Sequence, residues 1–237
     1  MSNSYFSFKQ FTVYQDLCAM KVGIDGVLLG VWACTENTTH ILDIGTGTGL
    51  IALMLAQRST STIDSIDINP NAFAQASENI RLSPWANRVN VQEISLQDFA
   101  VKAIHRYDLI VSNPPYFINS LKAPAEDRTT ARHTDSLTHE DLILNSISLL
   151  KPLGRICIIL PVKEAIQCKN YALNNGLFCR REVRVIPKPN ADAKRILMEF
   201  GLQDCRNEVS ELVIESEIRH HYSAEFSLLA KDFYLKL

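Results

Sequence analysis

The chain of 237 residues is long enough for one large domain with a buried core and too short for two. Its composition, 46% hydrophobic and 21% charged, excludes a disordered or fibrous chain. A net charge of −2 excludes indiscriminate binding to nucleic acid, which relies on a large excess of Lys and Arg, so any nucleic-acid partner must be met by a local patch.

The longest apolar runs, such as residues 156–160, fall far short of the roughly 20 residues of a membrane helix, so no membrane partner is expected. Residues 1–10 have no basic region followed by an apolar core, so a secretion signal is not expected either, and the reading is cytoplasmic. The six cysteines are scattered, with no C-x-x-C pair and no clustering with the six histidines. Reduced structural thiols and no metal site follow. A monomer is expected.

In chain order, residues 5–15 form an aromatic, strand-like stretch and residues 20–32 lead toward the core, so residues 1–39 read as an extension and 40–237 as the main domain. From His40 the pattern alternates. Apolar runs at 40–45, 61–68, 88–94, 108–113 and 155–161 predict strands, and segments such as 49–58 and 70–82 have helical spacing between them. This is the signature of βαβ units and a mostly parallel sheet. Asn69 is a good N-cap and Pro70 suits the first helical position, so a crossover helix starts there.

Residues 117–138 have no clear period, and a loop of that length is functional or mobile. Beyond Pro161 a helical run ends at Asn175-Gly176. Two β-rich stretches, 178–186 and 195–201, flank the turn-like 187–194 and predict an antiparallel terminal hairpin at the sheet edge, for seven strands in all. Residues 222–235 are an amphipathic helix candidate.

Two strand ends carry chemistry. The first predicted strand runs into Gly45-Thr46-Gly47-Thr48-Gly49 and then a helix, a position where a doubly wound sheet binds nucleotide-like ligands. A dinucleotide fingerprint, G-x-G-x-x-G/A, fails because its last position is Leu50. At the end of the second strand Asp67 can accept hydrogen bonds from ribose hydroxyls, whereas Asp64 is expected mid-strand. The fourth strand ends in Asn113-Pro114-Pro115-Tyr116. An exocyclic amine is a poor nucleophile because its lone pair is delocalised. If the Asn113 side-chain carbonyl and the Pro114 backbone carbonyl each accept one N–H, the nitrogen is held and its lone pair turned toward an electrophile. The prolines fix the backbone, and Tyr116 can stack on a planar substrate.

The glycine loop after Asp43, together with the N-P-P-Y strand end, resembles the class I S-adenosylmethionine-dependent amino-methyltransferases. The resemblance implies a Rossmann-like methyltransferase sheet and S-adenosyl-L-methionine as cofactor, with S-adenosyl-L-homocysteine as product. It implies that Asp43, Gly45, Thr46, Gly47 and Gly49 back the methionine half. Phe11, Gly23 and Asp25 match the F…G-x-D-x-x-L-L segment that lines the methionine end, although Asp25 also suits a capped helix after a glycine turn. The usual adenine-contacting acid falls at Ser95, so Asp98 takes that role or caps the following helix.

The outer segments, including residues 10–16, 20–33, 131–142 and the DFYL near the C-terminus, are similar to the bacterial adenine N6-methyltransferases of valine tRNA. That implies a tRNA substrate methylated beside the anticodon, where an unpaired base is easily splayed out. Candidate RNA contacts are Phe117, Lys122, Arg128, Arg132 and His133 after the strand end, and Arg184 and Lys188 at the hairpin. The hairpin charges also suit a solvated edge strand. A release-factor glutamine methyltransferase, an rRNA or DNA amino-methyltransferase, and a non-catalytic binding protein are the competing readings. The first of these carries a helical N-terminal domain that the 39 residues before His40 do not resemble.

Overall fold

The computed structural model describes residues 3–18, 20–115, 137–218 and 221–237. A small antiparallel hairpin, β1 (Tyr5–Ser7) and β2 (Thr12–Tyr14), precedes helix α1 (Ile24–Trp32). The alternating part follows: β3 (His40–Ile44), α2 (Leu50–Arg58), β4 (Thr62–Asp67), α3 (Pro70–Arg81), β5 (Val89–Glu93), α4 (Leu96–Lys102), β6 (Tyr107–Ser112), α5 (His139–Leu149) and β7 (Leu150–Pro161). Then come α6 (Val162–Asn174), β8 (Phe178–Ile186), β9 (Arg195–Gly201), β10 (Glu208–Val213) and α7 (Ala224–Ala230).

The sheet has the order β10-β8-β9-β7-β6-β3-β4-β5 and is parallel except where β9 runs against β7 and β8. The mostly parallel α/β sheet and its antiparallel hairpin are as expected. An eighth strand is added: β10 pairs parallel with β8, so the hairpin does not form the edge. Its sequence, EVSELV, is largely exposed, so it lacked the apolar run that marks a buried strand.

Alternation along the central strands divides the core in two. Ile41, Leu109, Val111, Cys157 and Ile159 join a cluster with Phe8, Phe11, Val13, α1, α2 and Phe226. Leu42, Ile44, Ile110, Ile156 and Ile158 face α4, α5 and α6. This period-2 split requires both faces to be covered, which is why the parallel strands read as continuous apolar runs. The N-terminal segment therefore shares the core of the main domain.

Local chemistry sets the boundaries. Asn69 Oδ1 accepts from the Asn71 and Ala72 amides at the start of α3, as its residue type predicted. Thr138 caps α5 through the Asp141 amide, and Gly176, at φ 76°, ends α6.

Candidate active site at the carboxyl edge of the sheet

Register brings the two chemical strand ends together. Ile44 pairs with Ile66 on one side and with Ser112 on the other. The residues that follow, Gly45, Asp67 and Asn113, therefore emerge side by side at one edge. Ser112 Oγ donates to the Ile44 carbonyl at 2.9 Å, stitching β6 to the start of the glycine loop.

The loop is built on left-handed backbone. Gly45, Gly47 and Gly49 have φ of 71°, 57° and 80°, conformations that a side chain would strain. A Cβ placed on Gly45 or Gly47 would meet nothing within 4 Å, so the loop faces open space. At Gly49 the Ala76 Cα lies 3.5 Å from such a Cβ, so α3 supports the loop from behind. The Gly45 and Thr46 amides donate to the Ile66 carbonyl at 2.9 and 3.1 Å. Asp67 accepts from the Gly47 amide at 2.9 Å with one carboxylate oxygen and from the Asn69 amide at 2.9 Å with the other. A carboxylate has about four lone-pair positions, so Asp67 retains acceptor capacity toward the open side.

Asp43 lies beneath the loop, fully buried, and accepts from Thr46 Oγ1 at 2.6 Å. Burial raises its pKa to about 7; the Thr46 hydroxyl and the Ala52 amide act in the opposite direction but less strongly. Asp64 sits mid-strand and accepts from the Tyr107 hydroxyl at 2.8 Å and from Asn90 at 3.2 Å, which matches its expected position.

At the other strand end Asn113 is half-buried, Pro114 buried and Pro115 exposed. Tyr116, Phe117, Lys122, Arg128, Arg132 and His133 lie outside the described residues.

Other candidates have evident structural partners. Gly23 precedes α1 with extended backbone, and Asp25, in the first turn, meets Arg195 Nε at 2.8 Å. Phe11 is buried, stacked 4.8 Å from Phe8 and edge-on to Trp85 at 5.7 Å. Ser95 caps α4 by accepting from the Asp98 amide at 3.1 Å, and its hydroxyl donates back to the Asp98 carboxylate at 2.8 Å. At the hairpin, Arg184 and Lys188 are exposed, and Arg184 Nε lies 3.6 Å from Glu182. Arg195 is opposite Pro161, so the 187–194 turn emerges at the same edge as Asn113.

Sequence reasoning missed three buried amides. Gln75 and Asn79, one turn apart on α3, and Gln15 are all nearly inaccessible. Asn79 accepts from the Tyr14 amide at 2.9 Å and donates to the carbonyls of Tyr14 and Thr48, each at 2.8 Å. The available signal was two amide side chains at i,i+4 on the face shared with Ala72, Ala76 and Ile80.

Among the described residues no group of three or more His, Cys, Asp or Glu side chains is placed to hold a metal ion. No helix among them is long and apolar enough to cross a membrane.

Residues 26–175 match the family described as methyltransferase small domain. Over its full length the chain is 52% identical to the tRNA1(Val) (adenine(37)-N6)-methyltransferase of Parabacteroides distasonis, with 100% of each chain covered. It is 47% identical to the enzyme of that name from Trichodesmium erythraeum, again with 100% of each covered. The chain belongs to this family of tRNA adenine methyltransferases.

The family's fold is widely shared. A predicted O-methyltransferase from Agrobacterium tumefaciens superposes with a TM-score of 0.69 at 17% identity, covering 88% of this chain and 96% of that one. A ribosomal protein L11 methylase from Lactobacillus delbrueckii gives 0.57 at 18% identity, covering 76% and 77%. As a family member the chain is a methyltransferase, and the paired strand ends are where its geometry can support transfer.

Proposed function

We propose that this methyltransferase uses S-adenosyl-L-methionine to methylate N6 of adenine 37 in tRNA1(Val). The observation that carries the chemistry is the register that delivers the glycine loop, Asp67 and Asn113-Pro114 to one edge. The choice of tRNA rests on the full-length likeness to relatives that carry that name.

The residues fit the cofactor. The open face over Gly45 and Gly47 admits a ligand against bare backbone, with Thr46 and Gly49 shaping the loop around it. Asp67 is assigned to the ribose hydroxyls and Asp98 to the adenine end. Asp43 holds the loop through Thr46, and Gly23 and Asp25 border the methionine end. When bound, S-adenosylmethionine supplies a methyl group already activated by its sulfonium, so positioning carries most of the rate.

The chain's own part is to make the amine reactive. Asn113 Oδ1 and the Pro114 carbonyl each accept one N–H of the adenine amino group, which holds the nitrogen with its lone pair directed at the methyl. The Pro114 ring fixes its φ, and Pro115 after it confines Pro114 to extended ψ, which holds the direction of that carbonyl. From the motif, Tyr116 is assigned the stacking surface. The extra proton leaves after transfer and needs no base of tuned pKa.

The test is incubation with labelled S-adenosylmethionine and, separately, unmodified total tRNA, release factor and DNA. Label recovered as N6-methyladenosine at position 37 of one tRNA is the expected result. Label in protein or DNA would overturn the proposal.

A further inference from the structure

The glycine loop and the N-terminal segment are far apart in sequence, yet one side chain joins them. Asn79 uses both its amide donors and its carbonyl oxygen on two partners distant in sequence: the backbone of Tyr14, both N–H and C=O, and the Thr48 carbonyl within the loop. Asn79 is 1% exposed, so water does not compete for these bonds. One turn earlier on the same helix, Gln75 Oε1 accepts from the Leu17 amide at 2.9 Å, and Gln15 Oε1 accepts from the Val22 amide at 2.8 Å. Tyr14, Leu17 and Val22, which lead to Gly23 and Asp25, are thus held by three buried amides. The segment also passes near Asp67: burial, and next the Asp67 charge, raise the Cys18 thiol to about 11.

We infer that Asn79 is a positioning residue for cofactor binding, which fixes the N-terminal segment and the glycine loop as one preformed site. It touches no reacting atom. It acts by removing freedom that binding would otherwise have to restrain, so it should set cofactor affinity rather than the chemical step. The inference rests on the proposed use of S-adenosylmethionine.

Calorimetric titration with S-adenosyl-L-homocysteine tests it. In Asn79→Ala the Kd is expected to rise roughly tenfold, as is the KM for S-adenosylmethionine, with kcat at saturating cofactor and the KM for tRNA within about threefold of the parent. Asn79→Asp keeps the acceptor for Tyr14 but removes both donors, and should show the same split. Gln75→Ala, which frees Leu17 and leaves Thr48 held, should show a smaller rise. Hydrogen exchange on the unaltered protein gives a second measurement: adding S-adenosylhomocysteine should slow exchange at the Tyr14 and Leu17 amides. Folded Asn79 variants with an unchanged Kd would overturn the inference, and so would no gain in protection at those amides. Failure of the unaltered protein to bind S-adenosylhomocysteine would instead overturn the cofactor assignment on which it rests.

Discussion

Asn113 and Asp43 differ in what burial does to them. Asn113 stays half-exposed, and its carbonyl oxygen is proposed to act on substrate. Asn113→Ala is expected to lower kcat by about a hundredfold or more, by losing one preorganised contact to the reacting nitrogen. Binding of S-adenosylhomocysteine should be unchanged, and labelled-methyl transfer with calorimetry checks both. Asp43, by contrast, is raised to about 7 by burial. Because the folded state holds that proton more tightly than the unfolded chain, stability falls as pH rises from the ordinary carboxylate range to about 7. Asp43→Asn can still accept from Thr46 and cannot ionise. Without cofactor it should be more stable than the parent at about pH 8, with little difference at about pH 4. Urea unfolding across that range reads the result, and parallel pH profiles for the two proteins would refute it.

At the scale of elements, the site depends on how closely helices approach. Gly30 lies inside α1, and a Cβ there would come within 2.6 Å of Met54 Sδ and 3.0 Å of Met54 Cβ on α2. Methionine can swing its sulfur away but cannot move its Cβ without shifting α2, which begins at the glycine loop. Gly30→Val should therefore destabilise the protein by about 1–3 kcal/mol, measured by denaturant unfolding. The start of α4 is a reciprocal Ser95–Asp98 cap. Ser95→Ala is expected to cost about 1 kcal/mol. If Asp98 also meets the adenine, as proposed, Asp98→Ala should lose both stability and S-adenosylhomocysteine affinity; stability loss with unchanged affinity would leave it a cap alone.

At the scale of the whole molecule, charge is arranged by position rather than by total. The net charge of −2 offers RNA no general attraction. The order of the sheet nevertheless brings the turn between β8 and β9 to the edge that carries Asn113, with Arg184 and Lys188 exposed beside it. Arg195, where that turn re-enters the sheet, is tied to Asp25 on α1, so the hairpin and the helix are linked by an ion pair. Charge reversal of Arg184 and Lys188 together should raise the KM for tRNA about tenfold and reduce its salt dependence, with S-adenosylhomocysteine binding unaltered. Steady-state assays at two salt concentrations check this, and an unchanged KM would assign these residues to the solvated edge.

The sequence by itself determined what is local. Period-2 alternation, the Asn69 cap and the Gly45-to-Gly49 run follow from nearest-neighbour sterics and hydrogen bonding, and so they were legible, as was the mid-strand place of Asp64. Only the tertiary structure decided what depends on contacts between distant residues. Asn79 lay unmarked within the 70–82 stretch of helical spacing, because its partners, Tyr14 and Thr48, lie 65 and 31 residues away. β10 was unreadable because an exposed edge strand is held by backbone pairing, which leaves no apolar pattern. The joining of Gly45, Asp67 and Asn113 has the same origin: each strand end was visible alone, but their adjacency is fixed by the parallel register of β3 with β4 and β6.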